Sequence, residues 1–229
     1  MIVSTKIFKV NKGESVALLD FSNAEAVLLN LLNGKEPNVT IEGQDLSQMD
    51  DDQLALFRRQ KTGYISRDFK YLPNLDIKQN IALPLALNGN TEKETAQTVE
   101  GIMELFGIHS LANSPIESLT EEEKQRISAA RAMTTNPVIC LADQPTENTM
   151  ETLSILNAES GTTVLISTCD ALIASFCTRV IYIKNGEFLA EVTPSGSRAE
   201  FFKEILDMQF ELFSTKFAVD KPTGFSLNL

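Results

Sequence analysis

The chain has 229 residues, 43% hydrophobic and 22% charged, enough apolar material to bury one large core with room for an appendage. Its 31 acidic residues against 20 basic ones give a net charge of −11 and a pI of about 4.6. That balance argues against a nucleic-acid partner, whose binding rests on clustered Lys and Arg. The N-terminus "MIVSTKIFKVNKGE" has no cleavage pattern, and no run approaches the roughly 20 apolar residues that span a bilayer. Three widely spaced cysteines, Cys140, Cys169 and Cys177, with no C-x-x-C, read as reduced thiols in a cytosolic setting. The single histidine, His109, follows "LFGI" and is expected to end a helix, and one histidine does not make a zinc site.

Along the chain, short apolar runs of strand composition occupy 15–19, 63–66, 138–142, 163–167 and 180–184, with helical stretches at 24–32, 91–106, 120–134 and 171–176. This alternation predicts an α/β fold with a largely parallel sheet. The first strand runs into a leucine-rich helix, where a phosphate-binding loop would stand. Such a loop needs G-x-x-x-x-G-K-[ST]. The connection here reads Asp20-Phe21-Ser22-Asn23-Ala24-Glu25-Ala26, with no glycine, no lysine and an acid in the middle. Ser22-Asn23-Ala24-Glu25 is instead a capping box, in which the serine and glutamate occupy the helix N–H groups that would otherwise hold an anion. "KNGEF" at 184–188 signals a hairpin with Asn-Gly at the turn. "TPSGS" at 193–197 reads as a linker into an amphipathic helix at 198–213. Phe201, Ile205, Met208 and Leu212 share one face of it, widened by Phe202, Leu206, Phe210 and Phe213. Packing on its own domain and contact with a partner both account for that stripe.

Four collinear segments, spanning about 12–192, resemble the nucleotide-binding subunits of ABC transporters, most closely those that drive lipoprotein-release and macrolide-export permeases. "NKGESVALLDFSNAEAVLLNLLNG" matches the strand, phosphate loop and helix. "RRQKTGYISRDFKYLPNLDIKQNIALPLALNG" matches the Q-loop segment. "ESLTEEEKQRISAARAMTTNPVICLADQPTEN" matches the signature helix, Walker B strand and D-loop. "GTTVLISTCD" with "RVIYIKNGEF" matches the switch strand and terminal hairpin. The resemblance implies a P-loop NTPase-like ABC nucleotide-binding domain over 1–192, its signature helical region at about 70–135 and the family's N-terminal strand lacking, then a linker, helix and tail over 193–229.

Carried over residue by residue, the same resemblance implies degenerate ATP motifs. The signature L-S-G-G-Q is Leu119-Thr120-Glu121-Glu122-Glu123, again a capping box, with three acids in the first helical turn. The Q-loop glutamine maps to Arg67 and the switch histidine to Cys169. The Walker B aspartate is kept as Asp143, but the glutamate after it is Gln144, whose amide cannot accept a proton near neutral pH. The D-loop aspartate maps to Met150, and the short connection after it predicts a clipped helix. No catalytic residue, cofactor or metal is therefore expected, although the family uses ATP and Mg²⁺. Asp143 is expected to be structural. The segment holding Arg67, Asp68, Phe69, Leu72 and Pro73 stays close to the family pattern beside the groove that receives a permease's coupling helix. Its apolar members also read as ordinary core. The expectation is a pseudo-ATPase at the inner face of the cell membrane, docked to a permease and paired with an intact ABC ATPase or a second copy of itself. The alternatives are a working or weakly working ATP-binding subunit and a soluble regulatory module.

Overall fold

The computed structural model describes residues 1, 3–5, 8–20, 24–33, 39–68 and 70–217; the side chains of 20, 24–26 and 213–217 are outside that description. A six-stranded sheet runs β10-β9-β3-β8-β7-β6, formed by β3 (Ser15–Asp20), β6 (Thr62–Ile65), β7 (Ile139–Asp143), β8 (Thr163–Thr168), β9 (Arg179–Lys184) and β10 (Glu187–Val192). The pairs β9-β3-β8-β7-β6 are all parallel, and only the β9–β10 hairpin is antiparallel. That hairpin turns at Asn185 and Gly186, both with positive φ, as the Asn-Gly signal requires. Four two-residue strands, β1 (Val3–Ser4), β2 (Lys9–Val10), β4 (Thr40–Ile41) and β5 (Gln44–Asp45), form a second, antiparallel sheet. Their composition gave no strand signal.

Period-2 alternation divides the apolar residues of the large sheet between two cores. Val16, Leu18, Leu141, Leu165, Ile181 and Ile183 face the small sheet, with α1 (Ala24–Leu32) and α2 (Asp51–Lys61). Ala17, Leu19, Cys140, Ala142, Ile166 and Tyr182 face the opposite, helical side. There lie α3 (Ile77–Leu87), α4 (Glu92–Leu105), α5 (Glu121–Met133), α6 (Glu147–Ser160), α7 (Ala171–Ala174) and α8 (Arg198–Phe217). Burial pushes the thiols of Cys140 and Cys177 up to about 12, which suits their place as small core residues; Cys169 is exposed.

Two helices escaped the sequence reading, α2 and α3. Each is opened by a capping box of the D-x-x-Q form, Asp50 with Gln53 and Asp76 with Gln79. His109 does not end a helix: α4 stops at Leu105, and His109 begins a short 3-10 turn with its Nε2 2.6 Å from Glu100. The helix expected to be clipped, α6, spans 14 residues and stops at Gly161 in the left-handed conformation.

The C-terminal helix packs on the domain. Phe201 and Ile205 are fully buried in the helical-side core, and the Tyr182 hydroxyl donates to the Ile205 carbonyl at 2.8 Å. Phe202, Met208 and Leu212 pack at its edge. The apolar stripe is narrower than its composition suggested: Leu206 is exposed, and Phe210 is 74% exposed.

Candidate functional site

Ligands of open α/β sheets sit outside the carboxyl ends of the strands. In register, Asp143 pairs with Ser167 and Leu19 with Thr168, while Ile65 lies opposite Ala142. The ends of β3, β8, β7 and β6 thus bring together one edge that carries Asp20, Cys169, Gln144 and Arg67. Parallel pairing accordingly assembles the motifs that the sequence keeps far apart. Ser22 and Asn23 lie outside the described residues. Ala24 and Glu25 open α1 with side chains outside the description, so the first expected capping box lies outside the described residues.

Asp143 is buried at 1% exposure, and its Oδ1 accepts from the Ser167 hydroxyl at 2.6 Å. Gln144 has a left-handed backbone, φ 46°, a conformation a non-glycine residue adopts only when its surroundings impose it. The surroundings here are hydrogen bonds. The Gln144 N–H donates to the Ser167 carbonyl at 2.8 Å, and its carbonyl accepts from Gln125 Nε2 at 3.1 Å. Gln125, buried on α5, also accepts at Oε1 from the Thr146 N–H at 2.5 Å. One buried amide therefore fixes both sides of the turn after β7. Sequence reasoning passed over Gln125; its signal was a polar side chain on a helix face otherwise occupied by Ile127, Ser128 and the alanines.

The N-terminus of α5 is closed by its own side chains. The Thr120 N–H donates to Glu123 Oε2 at 2.8 Å, and the Glu123 N–H donates to the Thr120 hydroxyl at 3.2 Å. These are the donors that a helix start offers to an anion. Two strong donations, from the Thr120 backbone first and its hydroxyl second, hold the Glu123 carboxyl below its ordinary value of 4.5. Glu121 pairs with Lys124, and Glu122 accepts from the Asn148 amide just after the turn. Cys169 is followed by Asp170, which caps α7 by accepting from the Leu172 N–H at 2.7 Å. These described residues do not fit a Mg²⁺–nucleotide. The one retained carboxylate is buried and bonded to Ser167, and a phosphate at α5 would have to displace Glu123 and sit among three acids.

The segment after β6 is arranged differently. Arg67, Asp68, Leu72 and Pro73 are all exposed, Leu72 at 46%; Phe69 lies outside the described residues. Leu72 is thus a surface residue, not core, whereas Ile77 and Ile81 are fully buried. Asn80, wholly buried on α3, holds the loop from below. Its Oδ1 accepts from the Leu72 N–H at 2.8 Å, and its Nδ2 donates to the carbonyls of Leu72, Leu75 and Asp76 at 3.0–3.2 Å. The sequence offered one sign of it, an asparagine inside the apolar run of α3, and the reading missed it. Arg131 donates to the Lys70 carbonyl at 2.7 Å, and burial lowers the pKa of its guanidinium. Gly63, on the floor beneath, permits no side chain: a Cβ there would lie 2.5 Å from the Ala132 carbonyl oxygen, where α5 rests on β6.

Comparison with known proteins agrees with this layout. The family model described as ABC transporter matches residues 7–147. The uncharacterized ABC transporter ATP-binding protein YvcR of Bacillus subtilis is 35% identical over 211 residues, covering 86% of this chain and 82% of that protein. The bacitracin export ATP-binding protein BceA of Halalkalibacterium halodurans is 31% identical over 215 residues, with 88% and 85% covered. Among solved structures, the dimeric ATP-binding cassette MJ0796 of Methanocaldococcus jannaschii, bound to ADP and Pi, matches with a TM-score of 0.75 at 30% identity, covering 83% of this chain and 89% of that one. CbiO1 of Clostridium perfringens matches with a TM-score of 0.74 over 92% of this chain and 88% of that one; at 19% identity it speaks to the fold alone. The parallel core, the strand-end edge and the extent of these matches lead to one conclusion: the chain belongs to the family of ABC transporter ATP-binding subunits.

Proposed function

We propose that this subunit has lost ATP chemistry and acts by contact, docked to a membrane permease at the inner face of the cell membrane. The observation that carries the reading is the reciprocal cap of Thr120 and Glu123, which fills the anion-binding end of α5 with the protein's own groups. The buried Asp143–Ser167 bond and the amide at Gln144 support it, since the first engages Asp143 Oδ1 within the protein and the second offers no general base at the end of β7. The docking face is the segment of Arg67, Asp68, Phe69, Leu72 and Pro73, of which the described residues Arg67, Asp68, Leu72 and Pro73 are exposed. Support for it comes from Asn80, whose four hydrogen bonds hold the loop on a rigid helix while leaving Leu72 open. Among the described residues no helix is long and apolar enough to cross a membrane, so attachment would run through the partner. A companion cassette, intact or a second copy of this chain, belongs to the same reading.

A second reading, a working or weakly working ATP-binding subunit, is favoured by the 30% identity to a cassette solved with ADP and Pi. Two results separate the two. Under the first reading, Gln144→Glu restores no ATP hydrolysis, because a base cannot act on a phosphate that nothing holds. A pull-down with the full chain from solubilised membranes of its source recovers a polytopic permease, and Leu72→Glu removes it while leaving the melting temperature in place. Hydrolysis in the Gln144→Glu protein would establish the second reading. Recovery of soluble partners alone would point to a regulatory module.

A further inference from the structure

Helix α2 turns one whole face to solvent. Leu54 and Phe57 point inward and are buried, whereas Asp52, Gln53, Leu56, Arg59 and Gln60 are exposed, Leu56 at 45%. Spacings of three, four and seven put those five on one side of the helix. A single exposed leucine is ordinary on a protein surface, and it is the surroundings that set this one apart. Beside it lies a hollow of about 310 Å³, floored by Met49 and Phe57 and rimmed by Gln44, Gln53, Gln60 and Lys61. The face thus carries an apolar knob next to a hollow that can receive one.

The charges on this face flank Leu56, with Asp52 one turn before it and Arg59 one turn after. Seven residues of helix separate the two by about 10 Å along the axis, too far for them to pair with each other. Neither is in an ion pair with a described residue. The other cations of α2 are engaged within the chain. Arg58 donates to the Leu32 carbonyl and to Asn33 Oδ1, and Lys61 pairs with Glu42 at 3.2 Å.

We propose that this face pairs with the same face of a second copy of the chain, the two α2 helices lying antiparallel across a two-fold axis at Leu56. A two-fold contact sets a patch against itself, so each group must find its complement on the same surface. Here it does. Reversing the helix lays Asp52 beside the second copy's Arg59 and Arg59 beside its Asp52, while each Leu56 enters the other's hollow among the glutamines. A partner of one charge sign, such as nucleic acid or an anionic membrane, would meet Asp52 as directly as Arg59. The contact goes beyond the docking reading and lies apart from the strand-end edge: α2 leads straight into the start of β6, whereas that edge forms at the carboxyl ends of the strands. Confined to α2 and the β4–β5 hairpin, it belongs with the small interfaces, below roughly 1,200 Å², so the dimer forms and separates with concentration.

The test is sedimentation equilibrium of the full-length protein, without nucleotide or membrane, from micromolar to millimolar concentration. The parent should show a reversible monomer–dimer equilibrium. Asp52→Lys and Arg59→Glu should each weaken it at least about tenfold, because the two-fold axis sets like charges opposite one another twice. Mixed in equal amounts, these two variants should dimerise as the parent does, since each then meets the other's reversed charge. The double variant Asp52→Lys/Arg59→Glu should do so by itself, and Leu56→Glu should leave only monomer. All three positions are exposed, so the fold should survive. If one variant melts early, recovery on mixing still decides, because a second protein does not repair a folding defect. A parent that stays monomeric up to millimolar concentration would overturn the proposal. So would a dimer indifferent to the charge changes, and so would single variants that fail to recover on mixing.

Discussion

Ending the chain after Ser195 removes α8 and, with it, Phe201 and Ile205, exposed at 1% and 0% in the helical-side core. Fully burying one such side chain contributes about 1.5–3 kcal/mol, so losing the pair costs about 3–6 kcal/mol. Tyr182, itself fully buried, also loses the Ile205 carbonyl that its hydroxyl donates to. An unsatisfied buried donor adds about 1–3 kcal/mol unless water reaches it. The Arg198 guanidinium, 3.3 Å from the ring centroid of Phe176, goes too and uncovers that ring. The total, about 4–9 kcal/mol, is comparable with the roughly 5–15 kcal/mol of a whole domain. Truncation should therefore bring the urea midpoint close to zero or yield aggregated protein. Phe201→Ala in the full chain should lower stability by about 3–5 kcal/mol without changing the denaturant slope. Equal midpoints for the parent, truncated and Phe201→Ala proteins would refute this account and make α8 a detached tail.

Thr120→Ala should cost about 1 kcal/mol in chemical denaturation, because it removes the hydroxyl that caps α5, and it should leave partner capture unchanged; no loss of stability would mean that the turn is ordered by other contacts. Glu123 should titrate below 4.5 by carboxyl NMR, since donation from Thr120 lowers its folded value. With the folded pKa depressed, its contribution to stability is full above about pH 4.5 and fades as pH falls through the folded value, and a midpoint at or above 4.5 would contradict the cap. Asn80→Ala should expose the loop it holds, seen as faster amide exchange at Leu72, whose N–H donates to Asn80 Oδ1; unchanged protection would show that the loop is held elsewhere.

The five parallel strands were readable because each is an apolar run bounded by turn residues, β10 because the Asn-Gly turn announces a hairpin, and Thr120–Glu123 because a capping box is local chemistry. Missed features were of two kinds. The strands of the small sheet are two residues long, too short for any period to show, and exist only because β1 pairs with both β2 and β4 across the chain. Helices α2 and α3 carried signals that were local but unused, the D-x-x-Q boxes at Asp50 and Asp76. Gln125 and Asn80 act through partners far away in sequence or on a neighbouring loop, so composition showed only that each was a polar residue in apolar company. Charge is the clearest case of this limit. An acidic total gave no hint that Arg58, Arg59, Arg67, Lys70 and Arg131, spread over two helices and a loop, line two depressions that share Tyr64 and Arg131.

The measurement closest to the central claim is a thermal melt of the isolated, full-length protein with and without millimolar Mg-ATP, alongside a non-hydrolysable analogue and a GTP control. A ligand at 100 times its dissociation constant stabilises a fold by about 2.7 kcal/mol, which moves a domain of this size by several degrees. The capped end of α5 and the bonded Asp143 predict no shift at any of these nucleotide concentrations. A saturable rise in melting temperature specific to ATP would contradict the account and restore this chain to the working members of its family.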